Sequence, residues 1–311
     1  MAGAVRSGGI GHPLRIRRDA RGGRAGAQAG AHRLTVPNGY TRRVSPAAVI
    51  MRRMDRQETW RTALVQADAE SIRYRGYDIG ALMRQAGFVD VVFLLHRGRM
   101  PSEGERGLLN AILVAVADHG SGAPSCAAAR LVATGNRQSL SAAVAAGVLA
   151  VGDEHGGAGS LAMEMIAAGV RMAASEGIAV AAAADRAIAA ARQEGKRLPG
   201  LGHRVHSVDP RVKVLFEMAR QYGVAGDGVA FMVALEAAAG ARIKPLPLNI
   251  DGALAAVLFD LGFPPEAGKL LFLVGRVAGL TAEVAEEYGR EKPMRIRFPV
   301  VYDGEPPRSL E

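Results

Sequence analysis

Apolar residues recur at spacings of three and four along most of this 311-residue chain, and this periodicity limits its fold more than any other feature. Such spacing places apolar side chains on one face of an α-helix, whereas the strict alternation of half-buried strands is scarce. The sequence therefore predicts an all-α protein. We expect a short strand or extended arm at Thr59–Arg73, an extended tail at Arg290–Glu311, and helices at Asp78–His96, Ser102–Ala117, Ser139–Val151, Ser160–Ala174, Ala179–Glu194, Pro210–Tyr222, Gly228–Ala239, Gly252–Leu261 and Pro265–Glu287.

The first 54 residues account for the net charge of +9. They contain 11 of the 39 basic residues, all arginine, and one of the 30 acidic residues, Asp19. The nearly neutral remainder argues against a nucleic-acid-binding fold, in which basic residues cluster on the fold itself. We interpret residues 1–54 as a flexible Arg/Gly-rich extension. The alternatives are an organellar transit peptide and an over-called start codon, with Met51 or Met54 as the true first residue.

Cysteine content and hydropathy indicate the compartment. Cys126 is the single cysteine, so no internal disulfide can form and a reducing, cytoplasmic environment is expected. Its alanine-rich surroundings favour a small core residue over a nucleophile, which would need a neighbouring base. No apolar run approaches the roughly 18 residues of a membrane-spanning helix, so no membrane partner is expected.

Three histidines and one aspartate stand out because each lies in a glycine-containing stretch at a predicted helix end or loop. Glycine lets substrate or backbone approach closely, and imidazole and carboxylate groups transfer protons near neutral pH. This pattern predicts an enzyme whose loops bring polar side chains to a common cleft. The stretches are Asp118-His119-Gly120, Gly152-Asp153-Glu154-His155-Gly156-Gly157-Ala158, Gly200-Leu201-Gly202-His203-Arg204-Val205 and Leu248-Asn249-Ile250-Asp251-Gly252.

These polar residues have three possible interpretations: metal ligands, catalytic groups or core residues. A zinc site usually contains a close ligand pair such as His-x-x-x-His. Only His203 and His206 are close here, and their spacing does not place both on one helical face. A metal site is therefore disfavoured, and the recurrence of the motif weakens the core interpretation.

Two motifs also predict helix starts. The stretch 152–157 is expected to open the helix from Ser160, whose N-terminus would attract an anionic ligand. Asp209-Pro210-Arg211 suggests an N-cap followed by proline at the first helical position. Arg211 would then lie beside the His203 loop, where a guanidinium suits bidentate carboxylate recognition. A salt bridge on the helix surface is the alternative.

Five stretches occur in a defined order: Tyr74-Arg75-Gly76-Tyr77-Asp78-Ile79, Ala117-Asp118-His119, Glu154-His155-Gly156-Gly157-Ala158, Gly202-His203-Arg204-Val205 with Asp209-Pro210-Arg211, and Asn249-Ile250-Asp251. This ordered set, spanning residues 59 to about 303, resembles the citrate synthase superfamily. The short interval between Tyr77 and His119 and the glycine after Asp251 resemble the citryl-CoA lyase type, as in the C-terminal part of ATP citrate lyase. So do Asp118-His119-Gly120 and Arg297-Phe298-Pro299, whereas His155 with Gly156-Gly157 follows the synthase pattern.

The resemblance implies an architecture. Residues 55–311 would form the catalytic domain, with a large helical part, a smaller helical part at approximately 178–260, and the active site between them. It also implies a homodimer, in which the tail of one subunit packs on the other. The helices Ala142–Val151 and Leu161–Ala174 independently favour association, because they are rich in small residues and offer little polarity to solvent.

The resemblance also implies residue roles. Asp251 would transfer the proton at the acetyl methyl carbon, His155 would hydrogen-bond the thioester oxygen, and His203 would act on the oxaloacetate carbonyl or the citryl hydroxyl. No metal or prosthetic group is implied, since the coenzyme A thioester is a substrate. The residues expected to hold oxaloacetate, the last of them from the partner subunit, are His119, Arg211, Arg276 and Arg297.

The leading hypothesis is cleavage of citryl-CoA to acetyl-CoA and oxaloacetate through an enol or enolate of acetyl-CoA. The first alternative is a citrate synthase or methylcitrate synthase, which condenses an acyl-CoA with oxaloacetate. The second is an inactive homologue or regulatory subunit. An RNA-associated protein acting through residues 1–54 is disfavoured by the neutral charge of the remainder.

Overall fold

Helices make up nearly all of the regular structure in the described part of the chain. The computed structural model describes residues 60–202 and 208–309, and the all-α prediction is confirmed there. The helices are α1 (Ile79–Gln85), α2 (Phe88–Arg97), α3 (Glu103–Val116), α4 (Pro124–Gly135), α5 (Leu140–Leu149), α6 (Ala158–Glu176), α7 (Val180–Gln193), α8 (Pro210–Gln221), α9 (Asp227–Arg242), α10 (Ile250–Asp260) and α11 (Ala267–Arg290).

A small antiparallel sheet precedes the helices. Its strands are β1 (Val65–Ala67), β2 (Ile72–Tyr74) and β3 (Tyr77–Asp78), with Val65 opposite Tyr74 and Arg73 opposite Asp78. The turn between β1 and β2 is closed by Asp68, whose Oδ1 accepts the backbone N–H groups of Glu70 and Ser71 at 3.0 and 2.8 Å. The strand expected within Thr59–Arg73 is thus present in the described residues, as a hairpin.

The single helix predicted over Asp78–His96 is wrong, because the segment forms two helices. Asp78 caps α1 by accepting the N–H of Ala81 at 2.9 Å. Gly87 then has an extended backbone and caps α2, donating its own N–H to the Asp90 carboxylate at 2.8 Å. Glycine is poor in a helix interior, and this local cap makes the break favourable.

Helix α4 is missing from the predicted set. Pro124 occupies its first turn, where the absent proline N–H costs nothing. Cys126 on this helix is fully buried, as expected for a small core residue. The Ala123-Pro124 start was an available signal, but the following alanines offer little contrast between apolar and polar faces.

Three helix starts agree with the sequence. Ser102 and Glu105 form the predicted capping box at α3, with N–H to side-chain distances of 3.3 and 2.8 Å. Asp209 caps α8 by accepting the N–H of Arg211 at 3.1 Å, with proline in the first turn. Helix α6 begins at Ala158, two residues before the predicted start.

The core surrounds α10. Residues Ala253 to Leu258 of this helix are completely inaccessible, and they belong to a cluster that includes Phe93 of α2, Ile166 of α6 and Phe231 of α9. A smaller cluster joins α4, α5 and α11. Because α10 is enclosed, its N-terminus is a rigid support for Asp251.

From Ala63 onward the described residues form one compact unit. The predicted boundary after residue 54 and the smaller part at 178–260 stay predictions. None of the described helices has the length and apolar content needed to cross a membrane.

The tail after α11 contains no helix or strand between residues 291 and 309, as the sequence indicated. Its start is fixed to α4: the N–H of Met294 donates to the Thr134 carbonyl at 2.9 Å. Arg295 donates through Nε to the fully buried carboxylate of Glu287 at 3.0 Å, and Arg130 of α4 donates to the same carboxylate at 3.0 Å. The end of α11 is therefore a firm origin for the exposed residues that follow.

Candidate active site

A cavity of about 390 Å³ brings five of the seven predicted site residues together. They are His119, His155, Arg211, Asp251 and Arg276. His203 lies outside the described residues, although Gly202, directly before it, lines the cavity. Arg297 lies on the exposed tail and does not line the cavity within the described part of this chain.

Asp251 lies in the first turn of α10, and Asn249 fixes that turn. The side chain of Asn249 accepts the N–H of Gly252 at 3.2 Å and donates to the Gly202 carbonyl at 2.8 Å. Gly200, with φ +83°, packs against Gly252 so closely that a Cβ on either would lie 2.6 Å from backbone atoms of the other. This contact explains why glycine follows Asp251, since any Cβ there would collide with the Gly200 backbone.

The carboxylate of Asp251 is poorly solvated. Its Oδ1 is buried and has no hydrogen-bond partner among the described residues. Burial raises the pKa of Asp251 to about 6, and the nearby charge of Asp209 acts in the same direction, whereas Arg211 and Arg276 act against it. A carboxyl group in this state exchanges a proton near neutral pH, which an exposed aspartate does not do.

A tight turn presents His155. Gly152 and His155 exchange backbone hydrogen bonds of 3.0 and 2.9 Å, and Gly156 adopts φ +77°. The ring meets Phe272 edge to face, with centroids 6.2 Å apart. This turn holds the imidazole at the cavity wall.

Ser125, at the start of α4, determines the tautomer of His155. The backbone N–H of Ser125 donates to Nε2 at 3.2 Å, and its hydroxyl lies 2.9 Å from the same nitrogen. Arg276 Nη1 donates to that hydroxyl at 3.0 Å. Because Nε2 is an acceptor here, the neutral ring carries its proton on Nδ1. No local sequence pattern assigns Ser125 a role, since its contact with His155 arises only in the folded chain.

The C-terminus of α3 organises both cavity arginines. Arg276, a buried residue of α11, donates through Nε to the Val116 carbonyl at 2.8 Å. Arg211 donates through Nη1 to the Ala115 carbonyl at 3.1 Å. The last carbonyls of a helix lack internal partners and carry a partial negative charge, which favours cations there. Burial lowers the pKa of Arg276, and its guanidinium also lies 4.8 Å from the centroid of the Phe272 ring.

Arg211 is paired with Asp209 rather than placed in a surface ion pair. Its Nε and Nη2 donate to the two carboxylate oxygens of Asp209 at 2.9 and 2.8 Å. Asp209 is completely buried and also accepts the N–H of Ile250 at 3.2 Å. The predicted N-cap therefore has a second role, connecting α8 to α10.

His119 lies three residues after the end of α3 and is exposed at the side of the cavity. The preceding Asp118 closes the turn by accepting the N–H of Gly120 at 2.5 Å. His119 thus completes a cavity with two guanidinium groups, two imidazoles and two carboxyl groups, those of Glu154 and Asp251. Such a set can bind a polycarboxylate anion and transfer a proton beside it.

A cluster of side chains outside the cavity wall contains residue types that commonly bind metal ions. Donor atoms of Asp118, Cys126 and Glu283 lie within 4.8 Å of one another. Glu283 is already paired with Arg130 at 2.5 Å, and burial raises the pKa of the Cys126 thiol, which disfavours the thiolate a metal needs. The expectation that no metal takes part stays a prediction.

The sequence of this chain matches a known protein family and several curated relatives. Residues 101–297 match the family model described as citrate synthase, C-terminal domain. The chain is 32% identical to a citrate synthase of Haloferax volcanii over 206 residues, which are 64% of this chain and 51% of that protein. It is 28% identical over 237 residues to ATP-citrate synthase subunit 1 of Sordaria macrospora, covering 70% of this chain and 34% of that one. The chain thus spans about half or less of these curated relatives.

Solved structures extend the comparison. The citryl-CoA lyase from Hydrogenobacter thermophilus superimposes with a TM-score of 0.74 and 38% identity, over 81% of this chain and 97% of that chain. An ATP citrate lyase from Methanosaeta concilii gives a TM-score of 0.63 at 20% identity, over 88% of this chain and 47% of that one. The second likeness concerns the fold alone.

Proposed function

This chain belongs to the citrate synthase family, and from that premise we propose that it cleaves citryl-CoA to acetyl-CoA and oxaloacetate. The observation that carries the proposal is the buried Asp251 carboxyl group, with its pKa near 6, in one cavity with His155 and two arginines. The likeness to a citryl-CoA lyase over nearly all of that chain supports cleavage as the direction.

In this proposal the arginines hold the carboxylates of the oxaloacetate part. An arginine has five N–H donors, and Arg211 uses three of them on Asp209 and Ala115. The other two, one on each terminal nitrogen, suit a carboxylate. Arg276 and His119 supply further positive charge or donors at the same cavity.

Cleavage breaks the bond between the carbinol carbon and the methylene carbon next to the thioester. The hydroxyl proton leaves to a base, a role assigned by the family resemblance to His203. The electron pair passes to the thioester carbonyl, and the Nδ1–H of His155 stabilises the resulting enolate oxygen. Asp251 then donates a proton to the methylene carbon, which yields acetyl-CoA.

The raised pKa suits this last step. With a pKa of about 6, roughly one Asp251 in ten is protonated at pH 7, compared with fewer than about one in a thousand at the ordinary 3.8. The same shift strengthens the carboxylate as a base for condensation. Citrate synthase or methylcitrate synthase activity is therefore the second candidate, favoured by His155 with Gly156-Gly157 and by the Haloferax relative. An inactive homologue is disfavoured, since the described polar groups remain assembled.

We further propose a homodimer. The tail presents Phe298, Val300, Val301 and Tyr302 with 67 to 88% of their surfaces exposed. Helix α5 is apolar apart from Ser141, yet its buried residues are Ala143 and Gly147. A second copy would cover these surfaces, and its tail would bring Arg297 to the site.

The proposed domain arrangement follows the family. Residues 55–311 would form the catalytic domain, the smaller part at about 178–260 would close over the ligand, and the protein would act in the cytoplasm on coenzyme A thioesters without a metal or prosthetic group. Closure would keep the enolate from water. Crystals with and without ligand that show the same angle between the two parts would contradict it.

A paired assay of the purified protein tests the proposal. One arm supplies citryl-CoA and follows acetyl-CoA and oxaloacetate, and the other supplies acetyl-CoA with oxaloacetate and follows free CoA. We expect rapid citryl-CoA cleavage that survives deletion of residues 1–54. Free CoA formation without citryl-CoA cleavage would favour the synthase, and inactivity in both arms would contradict the proposal.

A further inference from the structure

Asp209 has more partners than a helix cap needs. It is completely buried, and its two oxygens accept hydrogen bonds from four N–H groups: the backbone N–H and the Nε and Nη2 of Arg211, and the backbone N–H of Ile250. Ile250 directly precedes Asp251. One buried carboxylate thus contacts both a substrate-binding candidate and the turn that carries the catalytic candidate.

The pairing fixes the orientation of the Arg211 side chain. Binding of Nε and Nη2 by one carboxylate holds the planar guanidinium along one edge, and the contact of Nη1 with the Ala115 carbonyl prevents rotation about that edge. A lone arginine side chain loses rotamer freedom when it binds a ligand. Arg211 is already held by Asp209 and Ala115 in the folded protein, so little rotamer freedom is lost when a ligand binds.

We propose that Asp209 is a positioning residue, which orients Arg211 toward the carboxylate of the substrate and connects it to the turn of Asp251. The idea rests on the proposed function, since it concerns how that site receives its substrate. Asp209 does not line the cavity, so it acts through Arg211 and through the N-terminus of α10.

The connection has an electrostatic consequence for Asp251. Among the described residues, the titratable and charged groups of this cavity and its wall are Arg211 and Asp209 from the start of α8, Arg276 from α11, Glu154 and His155 from the turn before α6, and His119 after α3. Asp209 opposes ionisation of Asp251, and the two arginines favour it. Removing the charge of Asp209 should lower the pKa of Asp251, whereas removing the charge of Arg211 should raise it.

Oxaloacetate binding tests the positioning role by a double-mutant cycle. The variants are Asp209→Asn, Arg211→Gln and the double variant in the full chain, measured by isothermal titration calorimetry. We expect Asp209→Asn to weaken binding by about tenfold or more, on the scale of a charge-assisted hydrogen bond. The double variant should bind no more weakly than Arg211→Gln, because Asp209 acts through Arg211.

Asp260→Asn is the matched control. Asp260 is another helix-capping carboxylate, which accepts the backbone N–H groups of Gly226, Gly228 and Val229 away from the cavity. Its loss should reduce stability and leave oxaloacetate affinity unchanged. Unchanged affinity in Asp209→Asn, or losses that multiply in the double variant, would overturn the proposal.

Carbon-13 NMR titration of Asp251, assigned with Asp251→Asn, separates this proposal from the proposed function. If the wild type binds no oxaloacetate, the proposed function fails, and the titration still reports on Asp209. We expect a downward pKa shift in Asp209→Asn and an upward shift in Arg211→Gln. General loosening would hydrate Asp251 and lower its pKa in both variants, which would contradict the proposal. If Asp209→Asn alone does not fold, the pKa of Asp251 is measured in the double variant and compared with that in Arg211→Gln. This comparison still reports the effect of the Asp209 charge.

Discussion

Replacing Asp251 with asparagine should stabilise the protein at neutral and alkaline pH. The ordinary pKa of an aspartate is 3.8, and burial raises that of Asp251 to about 6. Below pH 3.8 the carboxyl group is protonated in both the folded and the unfolded chain. Between these values the unfolded chain releases the proton while the folded chain retains it, so stability falls as the pH rises.

The size of this effect follows from the pKa difference. Each unit of difference corresponds to about 1.4 kcal/mol, so a difference of about two units costs about 3 kcal/mol once the pH exceeds 6. Asparagine has nearly the same shape but no charge to desolvate. The free energy of unfolding of Asp251→Asn, relative to wild type, should therefore increase by about 3 kcal/mol between pH 3.5 and pH 8.

Urea unfolding followed by circular dichroism at a series of pH values measures this difference. The comparison across pH removes any constant cost of burying the amide. Asp68→Asn is a control of opposite sign, because hydrogen bonds from Glu70 and Ser71 lower the pKa of Asp68. Asp68→Asn should lose stability relative to wild type as the pH rises through 4. A difference between Asp251→Asn and wild type that is independent of pH would refute the reasoning.

Three further predictions concern the site and the assembly. Ser125→Ala should lower turnover by about ten- to a hundredfold. The loss should be smaller than in His155→Ala, because the backbone N–H of residue 125 still donates to Nε2 of His155. Equal losses of turnover in the two variants, measured by steady-state kinetics, would mean that the hydroxyl alone holds the ring. In the condensing direction kcat/KM should fall below about pH 6, where Asp251 is protonated, and an acid limb near pH 4 would contradict this assignment. Light scattering should give a dimeric mass, reduced when Phe298, Val301 and Tyr302 are replaced by serine; a monomeric wild type would exclude the proposed assembly.

Much of the fold follows from local sequence signals. The periodic segments from Ser102 onward form helices because their apolar faces are long enough to be unambiguous, and side-chain caps such as Ser102 and Asp209 fix their starts. The break at Gly87 is not evident from the sequence because it depends on one hydrogen bond, which the Gly87 N–H donates to the Asp90 carboxylate. Helix α4 was missed because alanine does not distinguish a buried face from an exposed one.

The sequence indicated which residues line the site better than it indicated the hydrogen bonds that position them. Glycine-flanked polar residues, taken in order, indicated His119, His155 and Asp251, which line the same cavity. The contacts of Ser125 with His155, and of Asp209 with Ile250, join residues 30 and 41 positions apart. Such contacts arise from helix packing, and no local pattern records them.

We propose that Asp251 transfers the proton at the acetyl carbon, and cleavage of citryl-CoA in deuterium oxide tests this role most directly. Mass spectrometry of the product measures both turnover and the deuterium that reaches the methyl group. Wild type should place one solvent deuterium in each acetyl-CoA, and Asp251→Asn, folded normally, should lower the rate by about a thousandfold or more. Near-normal production of deuterated acetyl-CoA by Asp251→Asn would contradict the account.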